Sequence, residues 1–146
     1  MKIGNLPLEN NLLLAPMSGI TDAPFRSLVK AFGCALTFTE LINAEGLVRG
    51  TAKTYGYLRR FPDESPFAVQ IFGSDPGVLA ESAALVVEQG AELVDINMGC
   101  PAKKVLKVGA GAALMRNPGL VEAILKRVRA AVSVPLTIKM RSGWKA

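Results

Sequence analysis

The stretch PFAVQIFGSDPGVLAESAALVVEQGAELVDINMGCP, residues 66–101, decides the fold. Phe67 to Phe72 is an apolar run interrupted only by Gln70, the pattern of a strand buried on both faces. Ser74-Asp75-Pro76 then supplies a helix cap and a first-turn proline, helical periodicity continues to about Gln89, and Gly90 stops it. Leu93 to Asn97 is a further strand, ending at Gly99-Cys100-Pro101. Strand, helix and strand at this spacing form one crossover unit of a parallel sheet.

Working outward, the same alternation recurs on both sides. Upstream, Leu12 to Ala15 reads as a short strand before Pro16, Asp22-Ala23-Pro24 opens a helix near 24–32 that Gly33 ends, and Ala35 to Thr39 reads as the second strand. Residues 43–53 read as a short helix and 59–66 as a polar connection. Downstream, a glycine-rich loop leads to a helix from Asn117-Pro118 to about Ala131, and Pro135 to Met140 is the fifth strand. Five strands with helical crossovers predict a doubly wound sheet or a (β/α)8 barrel. No GxGxxG follows the first strand, which counts against the dinucleotide-binding doubly wound fold. A complete barrel takes about 250 residues. The expectation is therefore an α/β chain of the TIM (β/α)8 type, truncated after about five strands and forming one partial domain over residues 1–146.

Composition narrows the function classes. Half of the 146 residues are hydrophobic and a fifth are charged, as in a compact folded domain rather than a disordered tail. No apolar run is long enough for a membrane span and residues 1–10 lack a signal-peptide pattern, so the expected setting is cytoplasmic, with no membrane partner. The absence of histidine, with only Cys34 and Cys100 as thiols, argues against a metal site and against any mechanism that needs a histidine base from this chain. Residues 1–100 carry 7 basic and 11 acidic side chains, whereas 101–146 carry 10 basic ones against Glu122 alone. That asymmetry suggests an anionic partner, a nucleic acid or a phosphorylated cofactor; for Lys126, Arg127 and Arg129 a solvated helix face reads equally well.

In a parallel barrel all strand carboxyl ends open on one rim, where barrel enzymes place their chemistry. Pro16, Met17 and Ser18 follow strand one, Glu40 ends strand two, Gln70 lies near the end of strand three, Asn97 and Cys100 follow strand four, and Lys139 and Arg141 finish strand five. Any one polar residue there can simply meet solvent; the set points to a shared mouth. An ordinary thiol, with a pKa of about 8.5, is mostly protonated at neutral pH. Cys100 on its loop therefore suits a general acid, and a nucleophile would want a base that is missing here. Cys34, beside Gly33, reads as a small buried hydrophobe. Lys139 ends an apolar strand and must emerge at the rim or meet an anion, as a Schiff-base lysine or as a cation for a phosphate, carboxylate or cofactor ring. Gln70 needs both donor and acceptor partners, which a planar heterocycle with imide edges would offer.

Four segments, LLLAPMSGITDAPFR, PFAVQIFGSDP, VDINMGCPAKKVLKVGAGAALM and VPLTIKMRSGW, together closely resemble the tRNA-dihydrouridine synthases, especially their bacterial B-type branch. The resemblance implies a complete barrel followed by a helical RNA-binding domain, of which this chain holds the amino-terminal barrel portion. It also implies FMN-dependent, NADPH-consuming reduction of the 5,6 double bond of particular uridines in tRNA. Carried over by position, Pro16, Met17 and Ser18 match the segment whose backbone lies against the flavin. Gln70 matches a residue at the polar edge of the ring, Lys139 the lysine beside its pyrimidine portion, and Cys100 the proton donor, expected on a mobile loop. Asn97 matches a residue near flavin and uracil, Arg141 a basic residue at the substrate mouth, and Lys103, Lys104 and Lys107 adjoin the catalytic loop as candidate phosphate contacts. Two other readings stand beside this one: a related FMN barrel acting on a small pyrimidine, and a non-catalytic RNA-binding remnant.

Overall fold

Three helices begin in the same way, and each cap is explained by its sequence. Asp22, Asp75 and Asn117 accept hydrogen bonds from the backbone N–H groups of Phe25, Val78 and Leu120 at 3.0, 2.8 and 3.1 Å, with a proline in the first turn each time. The cap oxygen satisfies an otherwise orphaned donor, and proline loses nothing where no intrahelical donor is needed.

The structure, a computed structural model, describes residues 1–144; Lys145 of the basic end lies outside the described residues. In chain order the elements are β1 (Lys2–Ile3), β2 (Leu6–Pro7), β3 (Leu13–Leu14), α1 (Ala23–Ala31), β4 (Leu36–Phe38), β5 (Ile42–Asn43), α2 (Ala44–Val48) and α3 (Ala52–Gly56). There follow β6 (Phe67–Phe72), α4 (Pro76–Glu88), β7 (Leu93–Met98), α5 (Lys103–Leu106), a 3-10 turn (Gly111–Arg116), α6 (Pro118–Ala131) and β8 (Leu136–Met140).

Strand order separates the two candidate folds. The main sheet runs β3-β4-β6-β7-β8, parallel throughout and strictly in chain order, with β5 also pairing on β6. A doubly wound sheet reverses its order at a switch point. This one does not, and it curls as the wall of a TIM-type barrel.

The period-two alternation of the strands sorts their side chains between two cores. Phe67, Val69, Ile71, Val94, Ile96 and Met98 face outward and pack on Leu79, Ala83 and Val86 of α4 and on Ile124 and Val128 of α6. Each fully buried side chain of this size contributes roughly 1.5–3 kcal/mol. Leu36, Phe38, Ala68 and Leu93 face inward with Leu8, and Ile3 and Leu6 of the antiparallel hairpin β1–β2 pack against them.

Several expectations change. The helix expected over 43–53 is two short helices, because Gly50 takes a left-handed φ of 66° that interrupts the run. The hairpin β1–β2 and strand β5 are two residues per strand, too short to show a period. The glycine-rich loop contains α5 and the 3-10 turn, held by buried Val105, Ala112 and Leu114. Cys34 is half-buried rather than buried, because its sulfur sits at a strand entry against the carbonyls of Leu12 and Leu36 at 3.4 and 3.3 Å.

Candidate functional site at the carboxyl rim

The Asn97-Met98-Gly99-Cys100 turn is built by its own first residue. Asn97 Oδ1 accepts from the N–H groups of Gly99 and Cys100 at 3.2 and 2.9 Å, folding the chain back directly after β7. Two further tethers hold the turn: Arg141 Nε donates to the Gly99 carbonyl at 2.7 Å, and the Ala112 N–H donates to the Cys100 carbonyl at 3.0 Å. Gly111 permits that last contact. Its φ is 61°, and a Cβ there would stand 2.6 Å from the Cys100 carbonyl oxygen. The thiol expected on a mobile loop thus sits on a loop tied at both ends.

Around this turn lies a cavity of about 510 Å3, lined by Pro16, Ser18, Gln70, Asn97, Cys100, Lys104, Lys139 and Arg141 among others. These come from the carboxyl ends of β3, β6, β7 and β8 and from the segment after β7, so the structure brings most of the sequence-predicted set together. Met17 does not line it. The backbone of Met17 is engaged by Thr21, whose hydroxyl lies 3.1 Å from both its N–H and its carbonyl. Lys103 and Lys107 are exposed on and just after α5, off the cavity wall. Glu40 accepts from the Gly19 N–H, bracing the loop after β3. Lys139 is exposed and lines both this cavity and an adjoining one of about 300 Å3 on the same concave face.

Beneath the rim runs a chain of buried polar side chains. Gln70 Nε2 donates to Asp95 Oδ2 at 2.6 Å, Asn97 Nδ2 donates to Gln70 Oε1 at 3.0 Å, and Thr137 Oγ1 lies 2.6 Å from Asp95 Oδ1. Gln70, Asp95 and Asn97 are 1%, 3% and 8% exposed. Burial pushes the Asp95 carboxyl above its usual value of 3.8, opposed by the hydrogen bonds from Gln70 and Thr137 and by the charge of Lys139. Sequence reasoning missed Asp95 and Thr137. The available signal was the aspartate inside the apolar run LVDIN, since a carboxylate in a buried strand needs partners.

A cavity of about 570 Å3 lies elsewhere, lined by Leu8, Lys30, Cys34 and Asp63 among others, near the amino ends of the strands. It holds none of the predicted site residues, and barrel enzymes do their chemistry at the other end. Among the described residues no group of His, Cys, Asp and Glu could hold a metal ion, and no helix is long and apolar enough to cross a membrane.

Sequential parallel strands with polar groups gathered at their carboxyl ends match part of a TIM-type barrel wall, the class of fold whose enzymes work at that rim. Comparison with known proteins then places it more closely. The family model described as dihydrouridine synthase (Dus) matches residues 13–146, and the chain belongs to that family. Proteins named tRNA-dihydrouridine synthase B are similar to it: that of Vibrio cholerae serotype O1 is 49% identical over 144 residues, covering 99% of this chain and 45% of the relative. The Shewanella oneidensis protein is 48% identical over 145 residues, covering 99% of this chain and 45% of its own, and that of Pseudomonas aeruginosa 45% identical over 144, covering 99% and 43%. The chain thus spans less than half the length of these relatives.

Proposed function

We propose that residues 1–146 form the amino-terminal wall of a catalytic barrel that reduces uridines in tRNA to dihydrouridine in the cytoplasm, with FMN as cofactor and NADPH as reductant. Family membership and the names of the relatives support the reaction. The observation that carries it is the convergence of Cys100, Asn97, Gln70 and Lys139 on one rim cavity.

The donor set fits a flavin ring. Gln70 keeps a second amide hydrogen and a second lone pair beyond those used by Asp95 and Asn97, which suits an edge that both donates and accepts. Lys139 presents a cation that would stabilise negative charge on the pyrimidine side, and Pro16 and Ser18 offer a wall. FMN, when bound, would supply the hydride.

Cys100 then holds the proton that the reduced uracil requires at C5, and its turn, tied to Asn97, Arg141 and Ala112, keeps the thiol in place without demanding a charged partner. A base in folded RNA must be extruded to reach such a site. Arg141 at the mouth and Lys103, Lys104 and Lys107 beside it are suited to hold the surrounding phosphates.

In the protein that carries this chain, Cys100→Ala should keep the bound-flavin absorbance spectrum and slow single-turnover reduction of tRNA uridines by on the order of 10²–10⁴. Wild-type rates would remove Cys100 from its role, and equal rates on free uridine and tRNA would turn the reading to a small-pyrimidine reductase.

A further inference from the structure

The buried chain beneath the rim has a direction. A carboxylate accepts hydrogen bonds and does not donate them, so Asp95 Oδ2 admits only the Nε2 end of Gln70. That choice turns Gln70 Oε1 toward Asn97, which must answer with Nδ2. Asn97 Oδ1 is left facing the N–H groups of Gly99 and Cys100, the arrangement the turn requires. Thr137 braces the other carboxylate oxygen, so the chain begins from a fixed point. The strand register puts Gln70, Asp95 and Thr137 side by side on β6, β7 and β8, with Asn97 next along β7 on the same face.

We infer that Asp95 is a positioning residue for Cys100: by fixing the Gln70 amide with its oxygen toward Asn97, it supports the Asn97 side chain whose own oxygen holds the Cys100 turn. Without an acceptor at position 95, either end of the Gln70 amide fits, and only the turn N–H groups still orient Asn97. A Gln70 amide turned about would set its NH2 group against Asn97 Nδ2, donor against donor, and loosen the hold of Asn97 on the turn. Gln70, Asp95 and Asn97 are almost wholly buried, so water does not compete for these bonds, and each unmet one is costly. The relevance of this relay to proton delivery rests on the function proposed above; the relay itself does not.

The two cysteines make the test internal to the chain. Cys100 reports on the turn, while Cys34 lines the separate cavity near the strand amino ends. Alkylation by iodoacetamide, followed at each cysteine by peptide mass spectrometry on the full chain, needs neither flavin nor RNA, so its failure is distinct from failure of the proposed function. Asp95→Leu, close in size but without an acceptor, should raise the Cys100 rate about tenfold and leave Cys34 unchanged. Asp95→Asn should restore the wild-type Cys100 rate, because its amide oxygen accepts from Gln70 while its NH2 group donates to the Thr137 hydroxyl. An unchanged Cys100 rate in Asp95→Leu overturns the inference, as does an Asp95→Asn rate equal to that of Asp95→Leu. If Asp95→Leu speeds both cysteines, Gln70→Leu decides, because it cuts the relay between Asp95 and Asn97 while Asp95 keeps Thr137. Gln70→Leu should speed Cys100 alone by about threefold, and no change there overturns the inference.

Discussion

At the residue scale, Asp95 carries a titration whose sign can be worked out. Its carboxyl is held above 3.8, chiefly by burial. A carboxyl with a folded-state pKa above its unfolded one binds its proton more tightly in the fold. Its contribution to stability is therefore fully present below the unfolded pKa and lost as pH rises through the folded one. Asp95→Asn removes this titration while other groups cancel in the comparison. The stability of the wild type relative to Asp95→Asn should accordingly fall as pH is raised from about 4 and level off above the folded pKa, as read by urea denaturation of both proteins up to about pH 7. A difference that stays constant across that range would place Asp95 at an ordinary carboxylate value. Cys100, Gln70, Asn97 and Lys139 were legible in sequence because each is a polar residue at the end of an apolar run. Asp95 was marked only as a carboxylate inside an apolar run, and its place between Gln70 and Thr137 was not legible, since the sheet register alone makes those three residues neighbours across three strands.

Between elements, the least legible feature is a buried ion pair. Arg26 of α1 meets Glu64 through Nε at 2.5 Å and Nη2 at 3.2 Å, and its remaining donors reach the carbonyls of Thr21 and Arg59, each at 2.8 Å. Thr37 of β4 donates to the same glutamate at 3.1 Å, and both charged residues are 1% exposed. One guanidinium thus ties α1, β4, the 59–66 connection and the loop that Thr21 shapes around Met17. Truncating one partner leaves the other charge buried and uncompensated, so Glu64→Ala should cost about 3–5 kcal/mol in equilibrium unfolding. Glu122→Ala, which removes an exposed pair with Lys126 on α6, should cost no more than about 0.5 kcal/mol. The sequence shows 59–66 only as polar, because an i-to-i+38 pairing leaves no local period.

For the molecule as a whole, β3 and β8 each pair on one side only among the described residues, and Leu12, Leu13, Ile138 and Met140 are exposed along these edges. A groove of about 410 Å3 between β8 and α6 is lined by Met98, Val121, Leu125, Ile138 and Met140 among others. Open parallel edges flanked by apolar surface promote association. The 146-residue chain should therefore self-associate in sedimentation velocity. Ile138→Lys should move the midpoint at least about tenfold higher in concentration, given the roughly 1.5 kcal/mol or more that burying an isoleucine contributes. A monodisperse monomer at all concentrations would show that the edges are closed in solution.

Local chemistry determined much of this protein without reference to the fold. The Asx-and-proline helix starts, the glycine stops, the alternation of apolar strand with helix, and the placement of polar residues at strand ends are all short-range, so they can be read along the chain. Tertiary structure alone decided that the strands stand in chain order around a curled wall, that Gly50 divides a helix, and that Arg26 finds Glu64. It also decided that Asp95 sits at the root of the hydrogen-bond chain leading to Cys100. Each of these depends on partners far apart in sequence, and no local pattern encodes which of them will meet.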